Sequence, residues 1–167
     1  NISKATVRGA NNSRDVLTRD EFYEVMTNGL LLNQNFINEL KVKAEFLKML
    51  QAIDIPVIYR PLHEGNANWF WWGINEDKNI TGDDVAELYR YVYHYFAETY
   101  SLDNILWEFN TSINGFWDVL CDWYPGDKYV DMLSIDWYLP ENDYNYFYHE
   151  MTQKCGKKPF GISEFGG

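Results

Sequence analysis

Pro56-Val57-Ile58-Tyr59-Arg60-Pro61-Leu62-His63-Glu64 reads as a short strand, Pro56 to Leu62, that delivers a carboxylate at its end. β-Branched and aromatic residues favour the extended backbone there. Upstream, from about Gln34 to Ile53, apolar Phe36, Ile37, Leu40, Ala44, Leu47 and Leu50 alternate with Lys and Glu at helical spacing. Downstream, Thr81 is a helix N-cap with Asp83 and Asp84 in the first turn of a segment running to about Tyr100. Asn104 to Phe109 is the next strand, Tyr129 to Trp137 a third, Glu141 to Lys154 a helix, and Pro159 to Ser163 a fourth strand. Strands alternating with helices predict parallel β/α units, as part of a barrel or a doubly wound sheet. Residues 1 to 33 carry no convincing strand, and no repeat or linker divides the chain, so residues 1–167 read as one domain.

Composition limits the partners. A formal net charge of −11 repels phosphate backbones and anionic lipid, so nucleic acid is a poor partner. No apolar run approaches the ~20 residues of a spanning helix, which argues against membrane insertion. Aromatic residues make up 18% of the chain, with seven Trp and thirteen Tyr. They serve either an aromatic-rich core or a surface for sugar rings, whose C–H faces are apolar and whose rims are hydroxylated. Cys121 and Cys155 have no metal-ligand spacing, and whether they pair cannot be read from sequence. Nothing implies a cofactor or a metal site. The chain opens on a polar stretch without a secretory leader, as a processed or excerpted sequence also would.

Alternation predicts which side chains share a face. Ile58, Arg60, Leu62 and Glu64 fall together on the first strand, and Phe160, Ile162 and Glu164 on the last. The third strand sets Ser134, Asp136 and Tyr138 against Leu133, Ile135 and Trp137, which face covering helices. In a parallel α/β barrel the C-terminal strand ends form the active-site rim, so Glu64 and Glu164 can converge across its mouth. Interior ion pairs, such as Arg60 with a carboxylate, are the structural alternative.

Arg60-Pro61-Leu62-His63-Glu64, followed by Trp69-Phe70-Trp71-Trp72-Gly73, resembles the acid/base strand and following loop of glycoside hydrolase family 26, whose best-known members are β-mannanases. The resemblance continues through Tyr124-Pro125-Gly126-Asp127, Tyr129-Val130-Asp131 and Ile135-Asp136-Trp137-Tyr138, and ends at the nucleophile-like Gly161-Ile162-Ser163-Glu164-Phe165-Gly166. It implies a (β/α)8 TIM barrel of which this chain holds about strands four to seven, an excerpt lacking the first strands and the last. A complete barrel typically needs about 250 residues. It further implies a retaining glycosidase, secreted or at the cell surface, acting on a polysaccharide or oligosaccharide. Glu64 becomes the general acid/base and Glu164 the nucleophile, with carboxyls about 5–5.5 Å apart.

By the same resemblance His63, Trp69 and Tyr138 shape the subsite nearest the scissile bond, with Trp69 as a stacking platform. Trp72 is a second platform or a buried structural tryptophan. Arg60 and Tyr138 are the expected hydrogen-bond donors to Glu164, and Asp136 either orients Tyr138 or pairs with Arg60. His63 points away from Glu64 on an ideal strand. Glu108, in Trp107-Glu108-Phe109-Asn110 where mannanases typically show a Tyr-Ser-Pro-like ending, either reshapes a subsite or serves as a salt-bridge partner. The expected substrate is β-1,4-mannan, with β-1,3-1,4-glucan or β-1,3-xylan as alternatives. A non-catalytic carbohydrate-binding protein is the reading from a different class, and it has no use for two converging glutamates.

Overall fold

The computed structural model describes residues 16–114, 119–139 and 144–166. Its elements run α1 (Arg19–Met26), α2 (Leu31–Gln51), β1 (Val57–Tyr59), α3 (Gly82–His94), β2 (Ile105–Ser112), β3 (Met132–Trp137), α4 (Tyr144–Lys154) and β4 (Phe160–Phe165). The start expected for the last helix, at Glu141, lies outside the described residues.

Side-chain caps start two of the helices. Thr18 and Glu21 form a reciprocal capping box on α1, and Thr81 with Asp84 forms another on α3. Each satisfies amide groups that the first turn leaves without partners. The helix α1 was not anticipated, although Thr18-x-x-Glu21 is its sequence cue. Arg19 and the Tyr23 hydroxyl donate to Asp84, tying α1 to the start of α3. Along α2 a stripe of Leu32, Phe36, Leu40, Ala44 and Leu47 is buried, while Val42, Phe46 and Met49 remain exposed. Past α3 the helix widens into a π-helical stretch, Tyr95–Thr99, before the chain reaches β2.

The four strands form one parallel sheet in the order β1-β2-β3-β4. Parallel strands in sequence order require crossovers, and α3 and α4 supply two of them. The outer face carries Phe109, Leu133 and Ile135, all fully buried with Trp123, Phe147 and Met151 in the core. The inner face is different. It carries Glu108, Asn110, Ser112, Ser134 and Asp136, each buried and polar, and lower down the exposed Ile58 and Leu106. Cys121 and Cys155 form a disulfide that ties the turn before residue 125 to the end of α4.

Two predicted face assignments are corrected. The first strand ends at Tyr59, so Leu62 and Glu64 do not continue its inner row. Residues 61–66 form turns, and Leu62 and Glu64 adopt left-handed φ angles of 52° and 56°. Such backbone costs about 1–3 kcal/mol per residue unless its surroundings fix it. Here they do: Leu62 is buried, and the Glu64 amide donates to both the main-chain and side-chain oxygens of Asn110, each at 3.2 Å. Gly65 lies so close to Trp123 that a Cβ would sit 2.9 Å from its ring.

On β4 the row Phe160, Ile162, Glu164 also fails. Ile162 pairs with outer-face Ile135, whereas Glu164 pairs with inner-face Asp136, because the register shifts by one residue between them. Ser163 is the extra residue of this β-bulge, and an insertion of one residue turns the next side chain to the other face.

Candidate active site

Arg60 emerges just past β1 and spans the inner face. Its Nη1 donates to both Asp136 oxygens at 2.9 and 3.1 Å, and its Nη2 to Glu164 Oε1 at 2.5 Å. The Tyr138 hydroxyl donates to Glu164 Oε2 at 2.8 Å. Arg60 and Tyr138 therefore stand where the sequence put them, and Asp136 pairs with Arg60 rather than with Tyr138. Asn110, fully buried, donates to Asp136 Oδ1 at 2.8 Å and to the Ser134 hydroxyl at 3.0 Å. Sequence reasoning missed Asn110, whose inward place on β2 was its available signal.

Glu64 is 8% exposed and accepts from the Trp69 indole Nε1 at 2.8 Å. The two glutamates thus sit in contrasting surroundings. Burial pushes the Glu64 carboxyl above its usual range, against donation from Trp69 and from the Ser112 hydroxyl. Burial also works against ionising Glu164, but the Arg60 and Tyr138 donors prevail and hold it below that range. Burial raises Asp136 to about 7, opposed by the Arg60 guanidinium and the Asn110 amide.

His63 lies in the turn before Glu64, its ring 4.8 Å from that of Phe70 and 5.7 Å from that of Trp72. Burial, with the Arg60 charge second, lowers its pKa to about 4, so the imidazole is neutral near pH 7. The expected rim segment Trp69 to Gly73 is divided. Trp69 is partly exposed beside Glu64, whereas Trp72 is 2% exposed, stacked on Phe70 at 4.5 Å, with its Nε1 donating to the His63 carbonyl at 3.0 Å. Trp72 is therefore not a sugar platform. It fixes the turn that carries His63 and Glu64. Trp72→Ala is expected to cost about 3–5 kcal/mol of stability. Trp69→Ala in the full-length protein should leave the melting temperature within a few degrees and, if Trp69 is the stacking platform that the resemblance implies, weaken turnover and substrate affinity together. Thermal melts beside steady-state kinetics separate the two outcomes.

Glu108 also departs from expectation. Among the described residues no cation forms a salt bridge with it; instead its Oε1 accepts from the hydroxyls of Ser134, at 2.5 Å, and of Ser163. Among the described residues no group of three or more His, Cys, Asp or Glu is arranged to hold a metal ion.

The site thus combines one raised carboxyl, one depressed carboxyl and an indole beside the first. The family model described as Glycosyl hydrolase family 26 matches residues 16–165. A mannan endo-1,4-beta-mannosidase of Bacillus subtilis strain 168 is 31% identical over 153 residues, which is 90% of this chain and 41% of that protein. The solved structure of the Bacillus subtilis mannanase BCman superimposes with a TM-score of 0.80 at 26% identity, covering 95% of this chain and 48% of that one. A beta-mannanase from a symbiotic protist of the termite Reticulitermes speratus, complexed with gluco-manno-oligosaccharide, superimposes with a TM-score of 0.72 at 27% identity, covering 93% and 47%. The chain thus spans less than half the length of these relatives, and its four strands are part of a (β/α)8 barrel.

Proposed function

Because this chain belongs to glycosyl hydrolase family 26, we propose that it forms the catalytic part of a retaining endo-β-1,4-mannanase, with Glu64 as general acid/base and Glu164 as nucleophile. The observation that carries the reading is the opposite displacement of the two carboxyls, Glu64 upward and Glu164 downward. Two titratable groups driven apart by their surroundings divide into acid and base.

In the first step a Glu164 oxygen attacks the anomeric carbon while Glu64 delivers its proton to the glycosidic oxygen. The C1–O bond breaks, and a glycosyl ester forms on Glu164. In the second step ionised Glu64 takes a proton from water as that water attacks the same carbon. The ester bond breaks, Glu164 leaves as carboxylate and the configuration is retained. Direct attack sets the carboxyl separation at about 5–5.5 Å, whereas roughly 6.5–9.5 Å would admit a water and indicate inversion. Arg60 and Tyr138 keep the nucleophile ionised, and Trp69 offers its ring face to the sugar at the cleavage point, while His63 packs against Phe70 and Trp72.

The preference for mannan rests on the names of the relatives. The disulfide supports a secreted or cell-surface protein, since disulfides persist in oxidising compartments. Incubating the full-length protein with a 2-deoxy-2-fluoro-β-mannosyl fluoride and mapping the labelled peptide tests the reading. A label on Glu164 is expected. Mannan binding without labelling or hydrolysis would instead mark a carbohydrate-binding protein, and faster hydrolysis of mixed-linkage glucan or β-1,3-xylan would move the substrate within the family.

The pH dependence follows with its sign. Activity needs Glu164 ionised and Glu64 protonated, so kcat/KM should rise with pH through a value below the ordinary glutamate range and fall through one above it. Glu64→Gln, assayed on an aryl mannoside whose leaving group needs no proton, should lose the alkaline limb and keep the acid one. Persistence of the alkaline limb would assign it to another group.

A further inference from the structure

The nucleophile assignment depends on a single inserted residue. Outer-face Ile135 is opposed by Ile162, so in an uninterrupted strand Ser163 would face inward and Glu164 outward, away from Arg60 and Tyr138. The bulge at Ser163 lets both Ser163 and Glu164 lie inward, with Glu164 opposite Asp136. Bulges re-aim side chains, and an extra residue left unpaired by the ladder needs something else to hold it.

Glu108 occupies the position to do so. It sits on β2, is 5% exposed, and uses one carboxylate oxygen to accept from Ser134 on β3 and from Ser163 at the bulge on β4. It thereby joins three adjacent strands immediately before Glu164. A second tie follows the bulge, where the Gly166 amide donates to the Trp137 carbonyl at 3.0 Å. Arg60 makes no salt bridge to Glu108, its guanidinium being engaged by Asp136 and Glu164.

We infer that Glu108 is a positioning residue for the nucleophile: by holding the Ser163 hydroxyl inward it fixes the bulge that turns Glu164 to the inner face, an inference that rests on the role proposed above for Glu164. It does not touch the reacting atoms. Its effect passes through Ser163 and the backbone, and misplacing a reacting group by about 1 Å can cost on the order of 10²-fold in rate.

The test uses Glu108→Ala, Glu108→Gln and Ser163→Ala in the full-length protein, read by the rate of labelling with the 2-deoxy-2-fluoro-β-mannosyl fluoride and by hydrogen exchange of the Gly166 amide. Labelling of Glu108→Ala should slow on the order of 10²-fold, with kcat reduced and KM little changed. Glu108→Gln should recover most of the rate, because its amide oxygen still accepts from both serines. Ser163→Ala, a milder change at an exposed position, should slow labelling about tenfold, the scale of one hydrogen bond. The Gly166 amide should exchange faster in both alanine variants and as in the wild type in Glu108→Gln. If Glu108→Ala melts lower but labels at the wild-type rate, Glu108 is merely structural and the inference falls. A glutamine variant no better than alanine overturns it too. Should Glu108→Ala fail to fold, Ser163→Ala decides alone, and unchanged labelling and exchange there reject the proposal. If the wild type itself takes no label, the proposed function has failed, and Gly166 exchange still tests the bulge: accelerated exchange in the alanine variants supports the clasp, and unchanged exchange refutes it.

Discussion

Glu164→Ala in the full-length protein is expected to abolish formation of the glycosyl ester and to lower turnover of mannan by on the order of 10⁶-fold, the scale reached when an enzyme loses its nucleophile. Glu64→Ala should behave differently. Without its proton, departure of a sugar leaving group slows by roughly 10²–10⁴-fold, whereas an activated aryl mannoside still glycosylates Glu164. The glycosyl ester then accumulates, because no base activates water, and added azide should accelerate its breakdown to a β-mannosyl azide. The asymmetry follows from the two surroundings. Glu64 accepts from Trp69 and is buried enough to favour its proton, and Glu164 is held ionised by Arg60 and Tyr138. Equal effects of the two substitutions on an activated substrate would overturn the division of roles.

The second large effect is expected at Arg60. Its guanidinium is the ion-pair partner of Asp136, whose side chain is fully buried, and of Glu164. Arg60→Met should cost up to about 3–5 kcal/mol near neutral pH, the scale for stripping one partner from a buried pair, moderated by the partial exposure of the arginine. The cost should depend on pH in a definite direction. Asp136 already has a folded-state pKa raised to about 7, and losing Arg60 raises it further. A carboxyl with a raised folded pKa stabilises the fold at pH below its unfolded value and loses that contribution as pH rises through the folded value. The deficit relative to wild type should therefore be small near pH 4 and grow toward pH 8, as chemical denaturation at several pH values would reveal. Glu164 loses a donor at the same time, so the acid limb of activity should move to higher pH. A deficit that shrinks as pH rises would show that the arginine acts through packing instead.

A family resemblance singled out Glu64 and Glu164, whereas the sequence alone determined the β/α alternation, the capping of α3 at Thr81 and the division of β3 into inner Ser134 and Asp136 against outer Leu133 and Ile135. These are local or periodic properties, legible because side-chain direction in a strand repeats every two residues and because a cap is complete within four. Only the tertiary structure decided how those glutamates reach the inner face. Neither simply extends its strand: Glu64 arrives through a left-handed turn held by Asn110, and Glu164 through a bulge at Ser163. It also decided that Trp72 is core while Trp69 meets Glu64, and that Cys121 and Cys155 pair. A positive φ on a non-glycine residue, an inserted strand residue and the burial of one tryptophan among several are stabilised by partners distant in sequence, such as Asn110 for Glu64 and Glu108 for Ser163, so the local pattern carries no mark of them.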